Sequence, residues 1–203
     1  MTDLGLFPLG IFLLPTEEVP LHIFEDRYKE LIGECLSEDR EFGLLYADDD
    51  GLRDVGTRAR VGEMLAEFDD GRMNVLVQGR ERFTLLELTT GRSFQTANVT
   101  PLVDDDDLAD ARTIERALEL FGRLRDLTKS EVEVPARGTA QLSFALAARV
   151  ELAPMVKQEL LQNVSERARL ERVCDLLADA AVTVERHQRA AERAASNGRV
   201  DLG

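Results

Sequence analysis

The sequence predicts an α+β chain, with a β-rich N-terminal lobe followed by an all-helical C-terminal lobe. Three observations carry that expectation. Apolar and polar residues alternate with a period of two from residue 7 to about 103. A hairpin signal, "DDGR" at Asp69 to Arg72, separates two of these alternating runs. After the acidic run Asp104 to Asp107 the apolar spacing becomes helical and stays so. The implied boundaries are 1–103 for the β-rich lobe, with one inserted helix at about 26–37, then 104–195 for the helical lobe. Residues 196–203, "SNGRVDLG", show no periodicity and are expected to form a mobile tail.

Taken in order, the apolar patch Leu4 to Leu14 is broken by Gly5, Pro8 and Gly10, so it predicts an extended strand entry. Pro20 and the following "LHIF" are extended chain. From Glu25 onward Phe24, Tyr28, Leu31, Ile32, Cys35 and Leu36 fall on one helical face. Glu25 and Asp26 stand at the helix start, where carboxylates oppose the exposed amide dipoles by roughly 0.3 to 1 kcal/mol each. In "VGTRARVGEMLAEF", Val55, Thr57, Ala59 and Val61 share one face, with Arg58 and Arg60 opposite. "MNVLVQGRERFTLLEL" alternates Met73, Val75 and Val77 and then reaches Gly79, where a bulge or sharp bend turns a barrel corner. A last strand, "SFQTANVTPLV", ends at Val103. Several strands bounded by turn chemistry predict a small closed or half-closed barrel.

In the second half, Leu108, Ile114, Leu118, Phe121 and Leu124 line a helix running to about Thr128. Gly138 and Thr139 precede a shorter helix carrying Leu142, Leu146 and Val150. Pro154 suits a first helical turn, and Ser165 is an N-cap for the long last helix, which buries Leu170, Val173, Cys174, Leu177, Ala181 and Val184.

Composition narrows the chemistry. The 203 residues are 44% apolar, enough for a core, and no run of 18 or more apolar residues occurs. The start lacks a basic n-region and a small-residue cleavage site, so a cytoplasmic protein away from the membrane is expected. The net charge of -14 and the acidic runs disfavour nucleic acid, which calls for a basic stripe. Cys35 and Cys174 lie far apart and belong to no metal-ligand pattern, so they are expected to be buried packing residues, with no metal and no cofactor. Cys35 shares the apolar face of the first helix and lacks the electropositive setting a thiolate nucleophile needs. His22 is expected to be a hydrogen-bonded, half-buried imidazole. Arg27, Lys29 and Glu30 fall on the solvent face of the first helix and are the candidate partner-contact residues.

The order "LGLFPLGIFLLPTEEVPLHIFEDRYKELIGECL", "FGLL" at 42–45, "VGTRARV" at 55–61 and "GRMNVLVQGRERF" at 71–83 resembles the Lon protease N-terminal, or LON substrate-binding, domain family. The resemblance continues through "LSFALAARVELAPMVKQELLQNVSERARLERVCDLL" at 142–177, with its "KQ.LL" element at Lys157, Gln158, Leu160 and Leu161, and covers about residues 4–186. Asp26 stands where many relatives carry proline, a position that aspartate also suits.

The resemblance implies a PUA-like β pseudo-barrel beside a helical subdomain, acting as a non-enzymatic protein-binding module. Its partners would be exposed or unfolded polypeptide segments, with a role as adaptor or regulator beside a separate protease or chaperone. No Gly-Lys pair occurs, so the phosphate-cradling loop of an ATPase is absent from the sequence, which reads as a stand-alone module. A cleft between the two lobes near residues 103–108 is the expected place for an apolar groove. Two alternatives come from other classes. RNA binding is suggested by PUA-like barrels elsewhere and opposed by the acidic balance. A hydrolase would use Cys35 or Ser143 with His22 or His187, but Ser143 in "QLSFAL" has no G-x-S-x-G elbow.

Overall fold

A computed structural model of the chain describes residues 2–197. Most of the segment expected to be a mobile tail lies outside the described residues. Seven strands and five helices occur among those residues, in the order β1 (Thr2–Leu9), β2 (Glu18–Ile23), α1 (Asp26–Glu38), β3 (Phe42–Asp48), β4 (Gly51–Leu52), β5 (Val55–Glu67), β6 (Met73–Thr89), β7 (Thr96–Pro101), α2 (Ala111–Thr128), α3 (Leu142–Ala147), α4 (Pro154–Gln162) and α5 (Glu166–Asn197). No helix among them is long and apolar enough to cross a membrane. The chain divides into two compact units, residues 1–106 with 147–164, and residues 107–146 with 165–203.

In the strand-rich unit the order is β1-β7-β6-β5-β3-β4, closed by a parallel β1–β3 pairing, while β2 pairs with β6. The β5–β6 hairpin turns at Asp69 to Arg72, where Gly71 takes φ +79°, a left-handed conformation that glycine adopts without strain. Ala59 opposes Gly79 and Thr57 opposes Arg82, so Arg80 and Glu81 face Arg58 alone and form a bulge. At the bend Gly79 exchanges backbone bonds with Thr16 and Glu17, at 2.9 and 2.8 Å. A Cβ on Gly79 would lie 2.1 Å from the Leu14 carbonyl oxygen, so this approach of two backbones requires glycine.

The main core lies between the sheet and α1, where Tyr28, Leu31, Ile32 and Cys35 meet Phe7, Leu21, Ile23, Phe42, Val75 and Val77. A smaller cluster of Leu4, Leu6, Leu45, Phe83, Ala97 and Val99 fills the region between β1, β3, β6 and β7.

Residues 147–164, which the change of period at 104 assigns to the helical lobe, group with the strands in the structure. The reason is polar. The buried Arg82 of β6 donates to the Leu161 and Asn163 carbonyls at 2.6 and 2.8 Å and pairs with Asp104. Lys157 of α4 pairs with Glu17, whose other oxygen accepts from the Leu14 amide at 2.8 Å.

In the second unit α2 packs on α5. Asp110 caps α2 by accepting from the Thr113 amide at 2.7 Å, and Ser165 Oγ accepts from the Ala168 amide at 3.0 Å at the start of α5. Ala117, Phe121 and Leu124 of α2 are buried, as are Leu170, Val173, Cys174, Leu177 and Ala181 of α5. Leu108 stands before the capped helix and is exposed, so it belongs to no helical face. Ser143, Glu166 and Arg169 form a buried network. Ser143 donates its amide and its hydroxyl to Glu166 at 2.9 and 2.6 Å, and Arg169 donates to Glu166 at 2.7 Å and to Ser143 Oγ at 3.1 Å. The Arg169 guanidinium also lies 4.3 Å over the Phe144 ring.

Candidate functional site

A groove of about 510 Å3 opens within the strand-rich unit, lined by residues 7–11, residues 19–25 and Tyr28. Its floor is core. Leu21 and Ile23 point inward from β2 by the strand's alternation, and Phe7 meets Tyr28 edge-to-face, with ring centroids 4.1 Å apart. Burial raises the Tyr28 phenol above its ordinary pKa, so the phenol stays neutral. Half-buried Leu9, Ile11 and Val19 continue the apolar lining toward solvent.

The rim is unusual for its exposed aromatic residues. Phe24 is 59% exposed, although helical spacing places it on the buried face of the first helix. It precedes α1 and keeps the phase of β2, so it turns outward with Pro20 and His22. His22 is likewise exposed rather than half-buried, and its Nδ1 donates to Asn74 Oδ1 at 2.6 Å. Its ring stacks on Phe24 at 5.8 Å and meets Phe68 edge-on at 6.4 Å. Phe68, 40% exposed at the hairpin tip, carries the Arg72 guanidinium 5.3 Å over its ring. Exposed apolar surface gathered beside a groove is the arrangement that marks an interaction site.

Of the three charged residues expected on the solvent face of α1, Arg27 and Glu30 are exposed and Lys29 is half-buried, and each has a polar partner. Arg27 pairs with Glu25 at 2.7 Å and lies 4.5 Å over the Tyr28 ring. Lys29 bonds Asp26 at 3.1 Å and the Asp70 carbonyl at 3.2 Å, tying the hairpin tip to α1. Glu30 accepts from Ser93 Oγ at 2.6 Å.

The nucleophile candidates have no matching surroundings. Cys35 is buried, and burial, helped by Glu34, pushes its thiol up to about 11. Burial also raises Cys174. Ser143 is held in the Glu166–Arg169 network, and His187 is exposed on α5. No group of three or more metal-ligating side chains occurs among the described residues.

The sequence profile of the ATP-dependent protease La (LON) substrate-binding domain matches residues 3–179. Among curated proteins, Lon protease of Anaeromyxobacter dehalogenans is 27% identical over an alignment of 192 positions that covers 86% of this chain and 23% of that protein. Lon protease of Paraburkholderia phytofirmans is 26% identical over an alignment of 209 positions that covers 93% of this chain and 25% of that protein. The chain therefore spans about a quarter of the length of these relatives. A solved Lon N-terminal domain protein from Xanthomonas campestris aligns with a TM-score of 0.66 at 25% identity, covering 85% of this chain and 97% of that one. The N-terminal domain of Mycobacterium avium complex Lon protease aligns with a TM-score of 0.65 at 17% identity, covering 88% and 99%, which supports the fold alone.

Proposed function

The chain belongs to the ATP-dependent protease La (LON) substrate-binding domain family, and from that premise we propose that it is a non-enzymatic protein-binding module of the cytoplasm. It recognises exposed apolar segments of unfolded polypeptide and acts as an adaptor or regulator of proteolysis. The observation that carries the reading is the apolar groove with Phe24 standing open at its rim. A rigid floor of core residues with exposed aromatic edges takes varied apolar side chains without first having to order itself. The polar margin on α1, with Arg27, Lys29 and Glu30, is the proposed secondary contact for a bound partner.

The test is the affinity of the full chain for a permanently unfolded client, a reduced and carbamidomethylated protein, at low and high salt. Apolar binding predicts little change with salt, because such contacts are not screened as charges are. Phe24→Asp should weaken binding by about tenfold or more with an unchanged melting temperature, because the side chain it replaces is mostly exposed. Binding abolished at high salt, or full affinity in the variant, would reject the groove as the site.

A further inference from the structure

The groove is walled by backbone as well as by side chains. Its lining takes every residue from 19 to 25 and every residue from 7 to 11. Of these runs, residues 7–9 lie in β1 and residues 19–23 in β2, and consecutive strand residues in a wall mark a strand edge, since one sheet face would contribute only alternate positions. β2 pairs with β6 along one edge only. The Gly79 amide donates to the Glu17 carbonyl, and the same register pairs Val19 with Val77, Leu21 with Val75 and Ile23 with Met73. In an antiparallel ladder hydrogen-bonded positions alternate, so the backbone groups of Val19, Leu21 and Ile23 serve β6 and those of Glu18, Pro20 and His22 point away from it. Among the described residues no backbone hydrogen bond is made from that outer edge.

We propose, resting on the reading above, that the groove binds its client by strand addition: an extended, basic-flanked apolar segment of an unfolded polypeptide pairs with the outer edge of β2. The segment donates amides to the carbonyls of Glu18, Pro20 and His22 and accepts from the amides of Glu18 and His22, while its side chains settle on Ile11, Val19 and Phe24. Backbone pairing is indifferent to side-chain identity, which suits a site that must accept many sequences. Two features choose this occupant over a second copy of the chain. Pro20 has no N–H and sits at the middle of the edge, so two β2 edges paired with each other would each lack a central donor. No lysine or arginine lines the groove, Glu18 and Glu25 stand near its ends, and the chain carries a net charge of -14, so a like-charged copy is repelled and a basic-flanked segment attracted.

The experiment uses the full chain and a fluorescent decapeptide of alternating valine and threonine with lysine at both ends, together with the same peptide N-methylated along its centre. Methylation removes the backbone donors and keeps the apolar side chains. The expected result is at least about tenfold weaker binding of the methylated peptide. In residue-resolved amide exchange, the unmethylated peptide should also slow His22 and Glu18 by about tenfold or more while leaving Val19 and Leu21, already bonded to β6, unchanged. Equal binding of both peptides would overturn strand addition and leave the apolar groove standing. Binding of neither would overturn both. Peptide-independent dimerisation that protects His22 would assign the edge to a second copy and also reject the proposal.

Discussion

Replacing Arg82 by methionine keeps most of the side chain's length and removes its charge. The guanidinium is buried, and it serves the Leu161 and Asn163 carbonyls together with Asp104, whose side chain is itself only 17% exposed. Breaking one side of a buried pair costs about 3 to 5 kcal/mol, chiefly from the charge left behind. For a chain of this size each kcal/mol lowers the melting temperature by about 2 to 4 °C, so Arg82→Met should lower it by about 6 to 20 °C. The loss should also be local. Amides of α4 should exchange faster, because Arg82 holds the end of that helix to β6. Adding Asp104→Leu should recover part of the stability by removing the stranded carboxylate. Urea unfolding and amide exchange check both points. A loss below about 1 kcal/mol with α4 still protected would refute the role assigned to Arg82.

Gly79→Ala should destabilise by more than about 2 kcal/mol in urea unfolding, because its Cβ would lie 2.1 Å from the Leu14 carbonyl oxygen and the bend cannot relax without losing the Thr16 and Glu17 bonds. Cys35 should react with a thiol reagent at pH 8 about a hundredfold more slowly in the native chain than in the unfolded one, since its thiol rises from 9.0 to about 11. On the acid side, the Thr113 amide holds the Asp110 carboxyl below 3.8, and the Arg167 and Ser165 hydrogen bonds do the same for Asp107. A lowered folded pKa contributes stability that is present above the unfolded value and lost as pH falls through the folded one, so the melting temperature should drop below about pH 3.8. Asp110→Asn keeps a cap but does not titrate, and should make that acid decline shallower with little change at neutral pH.

Local rules of the chain account for much of this architecture. The Asp69 to Arg72 turn, the bend at Gly79, the helix at 26–38, the first helical turn at Pro154 and the cap at Ser165 each follow from a residue whose backbone or side-chain chemistry admits few alternatives. The placement of α4 was not legible, because helical spacing is the same whichever unit a helix joins, and the residue that decides it, Arg82, lies about eighty positions away. Buried arginines escape a reading by hydropathy altogether: Arg82 and Arg169 look like surface charges until their acceptors are known. The groove was hidden by a change of phase. Phe24 fits the apolar stripe of α1 by spacing, but it stands before the helix begins and follows the alternation of β2, which turns it out. Its exposure could have been anticipated from Leu21 and Ile23, which share a face that position 24 does not.

The central claim is that client segments bind at the groove of the strand-rich unit, and chemical-shift mapping of the full chain with an unfolded client tests it most directly. Ile11, Val19, Ile23 and Phe24 should show the largest shifts, with His22 and Phe68 at the margin and little change along α2 and α5. Shifts concentrated on the helices, or saturable binding that leaves residues 19–25 unmoved, would contradict it.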